Sequence, residues 1–242
     1  MEYFWDTGET IVPGMGFSHY DSLHLFWLVV FVITVIICCV WFRKMSDRGR
    51  SVFKKTIALS MLVMEVLKIL LQVATGRFLW GYLPFHLCGI NIFLIMVHAW
   101  KPSRMLDNFL YLVCIPGALA ALLFPTWTAL PIANIYHIHS NVVHILLVLY
   151  PLMQAANGKL DLRVKYIPKA LGFLVLMAIP IYGLNLLLGT NFMFLMRADE
   201  GNPLAFFEKM WGSHLLGFPV IIAGVVIVMY LPIILSRKLK KA

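Results

Sequence analysis

The chain has 242 residues, 61% of them apolar and only 13% charged, with a mean hydropathy of +0.86 and a formal net charge of +9. Soluble domains are nearer half apolar and a quarter charged, so a soluble globular fold is excluded. The apolar runs are continuous rather than alternating, which argues against a transmembrane β-barrel.

Uncharged stretches cover residues 22–42, 78–100, 108–158, 170–196 and 210–236. A membrane-crossing helix needs about 20 such residues. The stretch 108–158 accommodates two crossings, with Pro125-Thr126-Trp127-Thr128-Ala129-Leu130-Pro131 as the turn between them. Residues 56–76 are apolar apart from Glu65 and Lys68. The expectation is an all-α, polytopic membrane protein: a seven-transmembrane-helix bundle forming a single membrane domain over 1–242. Its spans are placed near 22–42, 56–75, 84–100, 106–124, 135–154, 168–188 and 214–235.

The basic residues fix an expected orientation. Arg43, Lys44, Arg48, Arg50, Lys54 and Lys55 follow the first span; Lys101 and Arg104 the third; Lys159, Arg163, Lys165 and Lys169 the fifth; Arg237, Lys238, Lys240 and Lys241 the seventh. That is 16 of the 20 Lys and Arg on one side, against Arg77, Arg197 and Lys209 on the other and Lys68 within a span. The positive-inside rule places the basic side in the cytoplasm, with the N-terminus outside and the C-terminus cytoplasmic. The excess charge is then topological and faces anionic headgroups, and a nucleic-acid partner is not expected. Residues 1–20 carry Glu2, Asp6 and Glu9 without Lys or Arg, so no secretory signal peptide is expected. The outer connection 189–213, with Asp199, Glu200 and Glu208, is expected to cap the bundle.

Polar side chains are costly inside a bilayer, so their placement is informative. Seven of the eight histidines (His19, His24, His86, His137, His139, His144 and His214) fall in the outer half, and His98 alone lies toward the cytoplasm. Of the four cysteines, Cys38, Cys39 and Cys114 read as packing residues, the first two also as acceptors of reversible palmitoylation. Cys88 differs. It follows Pro84, read as a first-turn residue of the third span, and lies about one turn inside the outer interface. His144, about 10 Å below the entry of the fifth span, reaches a similar depth. A Cys with a neighbouring His is a nucleophile with its base. Asn91, three residues on, shares the Cys88 face, whereas His86 points elsewhere.

From the residues alone, other readings stay open. Cys88 can be a small buried hydrophobe, and His144 can simply bond a backbone carbonyl. His86, Cys88, His137, His139 and His144 are acceptable zinc ligands, but His-x-Cys and His-x-His point to opposite helix faces, and neither His-Glu-x-x-His nor Cys-x-x-Cys occurs. No metal or other cofactor is expected. Glu65 and Lys68 are expected to pair on the second span, or to belong to an ion pathway. Asn185 and Asn191 are expected near the outer end of the sixth span, and Glu208 or Asn141 as orienters of a histidine.

Four segments carry a resemblance: Leu83-Pro84-Phe85-His86-Leu87-Cys88-Gly89, Gly117-Ala118-Leu119-Ala120-Ala121-Leu122-Leu123-Phe124-Pro125, the helix around His144, and Gly189-Thr190-Asn191-Phe192-Met193-Phe194-Leu195. Together they resemble the bacterial YwaF-type integral membrane proteins and, more distantly, the eukaryotic transmembrane protein 164 family. The resemblance implies phospholipid acyl transfer, with Cys88 as nucleophile and His144 on a later helix as its base. His139 competes for the second role, with His86, Asn91, His137 and His214 as supporting or alternative groups. It implies membrane phospholipids as partners and a bacterial plasma membrane as the location. The expected function is a membrane-embedded phospholipid acyltransferase or lipid hydrolase. The alternative is a transporter or small-molecule-binding membrane protein built on the outer histidine cluster with Glu65 and Lys68.

Overall fold

The computed structural model describes residues 3–199 and 202–239. Glu2, Glu200, Lys240 and Lys241 lie outside the described residues, as does the side chain of Lys238. Among the described residues there are seven helices long and apolar enough to cross a membrane: Ser22–Lys44, Asp47–Ala74, Trp80–Trp100, Arg104–Leu123, Ile135–Ala156, Val164–Leu188 and His214–Arg237. They are called here the first to seventh spans. The fold is all-helical, and the chain is a multi-pass membrane protein by the length and composition of these helices.

Local chemistry sets the helix ends. The second helix begins at Asp47, ahead of the expected residue 56, because Ser46 caps it by accepting the Gly49 N–H. Its charged first turns then extend the helix beyond the apolar run, with Arg50 holding Asp47 at 3.1 Å. Asn134 starts the fifth span by accepting the N–H groups of Tyr136 and His137. The fourth span is not one regular helix. Residues Leu110–Cys114 form a single wide π turn ahead of Pro116. A proline has no N–H to donate and its ring crowds the carbonyl four residues back, so the wider turn relieves that conflict inside the span.

The fourth and fifth spans form the centre, and each is buried over more than half of its most apolar window (61% and 56%). The first, sixth and seventh spans bury few of their apolar side chains, the arrangement expected of helices that face lipid. The second and third spans pack against each other and against the fifth. Tyr111 and Tyr230 tie the fourth and seventh spans together, donating to the Met229 carbonyl at 3.0 Å and to Asn108 Oδ1 at 2.7 Å.

The two ends of the bundle are built differently. At one end, segment 3–20 folds back over the loops. Asn134 donates to the Tyr3 and Asp6 carbonyls, Ile135 N–H reaches the Phe4 carbonyl, and Asp6 pairs with Arg77. Gly16 passes so close to the Thr128 carbonyl that a Cβ would sit 1.9 Å from it. The connection between the sixth and seventh spans closes the same end with a short turn, Phe192–Phe194, and a helix, Pro203–Trp211. Asn185 holds that turn, accepting the Phe192 N–H at 2.7 Å and the Thr190 hydroxyl at 2.8 Å.

At the opposite end a buried network joins the third, fourth and fifth spans. His98 donates through Nε2 to Asp107 at 2.8 Å and accepts the Tyr150 hydroxyl at Nδ1 at 2.9 Å. The second Asp107 oxygen accepts the Asp161 N–H. The Arg163 guanidinium in turn holds the Asp161 carboxyl below the usual carboxylate range.

Candidate functional site

Cys88 occupies the first turn of the Leu87–Trp100 helix, with His86 as its N-cap. Pro84, expected in the first helical turn, lies ahead of it instead. Gly89 packs directly on Pro84, where a Cβ would come within 2.6 Å of the Pro84 carbonyl, and a turn closes from Phe85 N–H to the Leu83 carbonyl. Ile90 makes the first intrahelical bond, to His86. The N–H groups of Leu87, Cys88 and Gly89 therefore sit at the positive end of the helix without helical acceptors.

The fifth span brings His144 to this point. Its Nδ1 is 2.6 Å from the Ser140 carbonyl, and its Nε2 is 3.2 Å from Cys88 Sγ. A carbonyl only accepts, so Nδ1 carries the ring proton and Nε2 presents its lone pair to the thiol, which donates. Trp127, from the loop between the fourth and fifth spans, stacks on the ring with centroids 5.0 Å apart. The imidazole is thus fixed by a backbone carbonyl below and an indole face beside it. Neither Asn141 nor Glu208 orients it: Asn141 donates to the His137 carbonyl, and Glu208 lies 3.7 Å from His214.

Cys88 and His144 open onto a cavity of about 1160 Å³. Residues of the second, third, fourth and fifth spans line it together with the sixth and seventh, and the N-terminal segment contributes Thr7, Gly8 and Glu9. His86 and His139 also line it. His86 Nδ1 accepts the Met193 N–H at 3.4 Å, which pins the turn Phe192–Phe194 over the start of the third span. Met193 and Phe194 both adopt positive φ there, a conformation uncommon for residues other than glycine. His139 Nε2 lies 3.4 Å from Glu65 Oε2, and the other oxygen of Glu65 takes the Lys68 ammonium.

Three of the expected residues stand apart from the cavity. Asn91 is buried but absent from the cavity wall; three helical residues leave it about 60° around from Cys88. His137 is committed to the Leu130 carbonyl at 3.0 Å, and His214 faces Glu208. Cys114 is fully buried, with its thiol on the Leu147 carbonyl. Among the described residues, no three His, Cys, Asp or Glu side chains converge on a point where a metal ion would sit. Sequence reasoning missed Trp127 and the Ser140 carbonyl. Only the first had a visible sign, an aromatic residue in the turn that feeds the histidine-bearing helix.

The architecture is that of a polytopic helical membrane protein with a thiol and an imidazole in hydrogen-bond contact on the wall of a large cavity. The chain belongs to the TMEM164 family, whose family model matches residues 15–230. No curated protein and no solved structure matches the chain.

Proposed function

We propose that the protein is a membrane-embedded lipid acyltransferase or lipid hydrolase in which Cys88 is the nucleophile and His144 its base, acting on membrane phospholipids. The observation that carries the reading is the 3.2 Å contact between Cys88 Sγ and His144 Nε2, with the Nδ1 proton held on the Ser140 carbonyl. A base must lie within hydrogen-bond reach of the proton it takes, and this one does.

The steps follow from that geometry. Nε2 takes the thiol proton as Sγ bonds to an ester carbonyl carbon. The carbonyl oxygen takes up the displaced electron pair near the free N–H groups of Leu87, Cys88 and Gly89. As the tetrahedral centre collapses, the carbon–oxygen bond to the glycerol breaks and the leaving alkoxide takes the proton from His144. An acyl thioester on Cys88 remains. An acceptor hydroxyl, from a second lipid or from water, then gives its proton to Nε2 and attacks the thioester. Sγ leaves and recovers that proton.

The cavity suits such a substrate because its far wall is aliphatic, from Leu171, Leu174 and Ala178 on the sixth span and Ile221 and Val225 on the seventh. The bacterial YwaF-type assignment, a plasma-membrane location and the absence of a nucleic-acid role belong to the same reading. A second reading, a transporter, is favoured by one observation: Glu65, Lys68 and His139 form a charged group on the cavity wall.

A thiol-reactive acyl probe separates the two readings. Labelling at Cys88 is expected in the parent, to vanish in Cys88→Ser and to fall about 10²–10⁴-fold in His144→Ala. Turnover that survives Cys88→Ser, with flux abolished by Glu65→Gln, would favour transport instead.

A further inference from the structure

One stripe of the cavity wall is polar and has no assigned role. Glu65, Lys68 and Gln72 follow one another at i, i+3 and i+7 on the second span, so they share a face, and all three line the cavity. Gln72 is fully buried, yet neither its Oε1 nor its Nε2 has a hydrogen-bond partner. Nε1 of Trp127, elsewhere on the cavity wall, is likewise buried without a hydrogen-bond partner. Buried polar groups are nearly always hydrogen-bonded, to protein, water or ligand. Here both side-chain atoms of a fully buried residue are unsatisfied on the helix face it shares with Glu65 and Lys68, which marks that stripe of the wall as a place for something polar.

The donor inventory says what kind of group fits. Lys68 directs its ammonium at Glu65 and keeps further N–H bonds to give. The Gln72 amide offers two donors. An ammonium and an amide on one helix face, with the Glu65 carboxylate already engaged by Lys68 and His139, suit an acceptor-rich group, and a phosphate supplies several acceptor oxygens at one point. The opposite wall, on the sixth and seventh spans, is aliphatic. An occupant that satisfies both walls is an amphiphile with a phosphate at one end and an acyl chain at the other.

We infer that the stripe Lys68–Gln72 is the headgroup subsite of the cavity: the phosphate of a glycerophospholipid lies against the Lys68 ammonium and the Gln72 amide. Its acyl chain follows the sixth and seventh spans, and its glycerol ester or free hydroxyl is presented to Cys88. The inference rests on the lipid reading of the cavity and adds the group by which the lipid is read. It makes phosphate, rather than chain length alone, the basis of selection, so a neutral glyceride with the same chain binds more weakly.

Binding tests this independently of the chemistry at Cys88. Cys88→Ala protein in neutral detergent is titrated with 1-palmitoyl-lysophosphatidylcholine and, separately, with 1-palmitoylglycerol. Tryptophan emission reports occupancy, because Trp80 and Trp127 line the cavity. The phosphorylated lipid is expected to bind about tenfold or more tightly than the neutral one, the scale of a charge-assisted hydrogen bond. Two variants are expected to bring that ratio to within about threefold. Gln72→Leu removes both unpartnered atoms with little change in volume. The double variant Glu65→Gln/Lys68→Gln removes both charges together and leaves neither unpaired. Equal affinity for the two lipids in the parent, or an undiminished ratio in whichever of the variants folds, overturns the inference. Because no turnover is measured, failure of the Cys88–His144 mechanism leaves this result intact, and the converse also holds.

Discussion

The Trp127 indole lies nearly parallel to the His144 imidazole, with 19° between their planes and 5.0 Å between their centroids. The two rings come from different parts of the chain, a loop and a membrane span, so the loop between the fourth and fifth spans helps set the ring that faces Cys88. Aromatic pairs of this kind contribute about 0.5–1.5 kcal/mol beyond their buried area. Trp127→Leu is therefore expected to slow Cys88 labelling by about tenfold at most, through loss of ring orientation. Trp127→Phe retains a stacking face and is expected to recover most of the rate. Labelling kinetics with a small, chain-free thiol reagent check this, since such a reagent does not depend on the lipid-binding walls.

His139 and His144 both line the cavity, but only one presents a lone pair to the thiol. His144→Gln removes that acceptor and is expected to lower Cys88 acylation about 10²-fold or more, whereas His139→Gln is expected to cost less than about tenfold. Mass spectrometry of the acyl-enzyme after rapid mixing reads both. A reversed order would transfer the base role to His139 and its Glu65 neighbour.

Much of this arrangement is legible in the sequence, for identifiable reasons. Seven apolar runs have few alternatives in a chain this hydrophobic, and helical rise alone puts Cys88 and His144 at matching depth. What escaped the sequence was set by contacts without a periodic pattern. Pro84 reads as a helix start until the close approach of Gly89 to its carbonyl is seen. The group that orients His144 is a backbone carbonyl, which every residue possesses, so nothing in the identity of Ser140 announces it. Asn91 fails for an angular reason: a three-residue step keeps side chains adjacent but not on the same narrow strip of wall.

The His98–Asp107–Tyr150 network lies away from the cavity and is expected to act on stability alone. Asp107 accepts from His98 with one oxygen and from the Asp161 N–H with the other. Asp107→Asn keeps the shape but turns one acceptor into a donor facing a donor. Leaving one buried partner unsatisfied costs about 1–3 kcal/mol. The melting temperature in detergent is expected to fall while the rate of Cys88 labelling, corrected for folded protein, stays unchanged.

Asp161 gives a pH dependence with a defined sign. Its folded carboxyl is held below the usual range, first by the hydrogen bond from Arg163 and then by the charges of Arg163, Arg104 and Arg237. A depressed acid contributes stability above its unfolded pKa and loses it as pH falls through the folded value. The melting-temperature gap between parent and Asp161→Asn is expected to be full at neutral pH and to close below about pH 4. A gap that persists at lower pH would assign the effect to the side-chain hydrogen bonds alone. The group is partly solvated, so the gap is expected to be small and to shrink with added salt.

Orientation decides which leaflet Cys88 can serve. Its cavity is lined in part by Thr7, Gly8 and Glu9, so Cys88 shares an end of the bundle with the N-terminal segment. Among the described residues, the Lys and Arg at 43–55, 101–104, 159–169 and 237 lie in the loops and helix ends of the opposite end. Short basic loops are retained in the cytoplasm, which predicts a cytoplasmic C-terminus and a Cys88 cavity under the outer leaflet. In a bacterial host, a C-terminal green fluorescent protein fusion is expected to fluoresce, and a C-terminal alkaline phosphatase fusion to be inactive. A membrane-impermeant maleimide is expected to modify a cysteine placed at Gly8 in intact cells and to miss one placed at Gly158. The inverted pattern would move the thiol beneath the cytoplasmic leaflet, where the acyl donors and acceptors within reach are those of that leaflet.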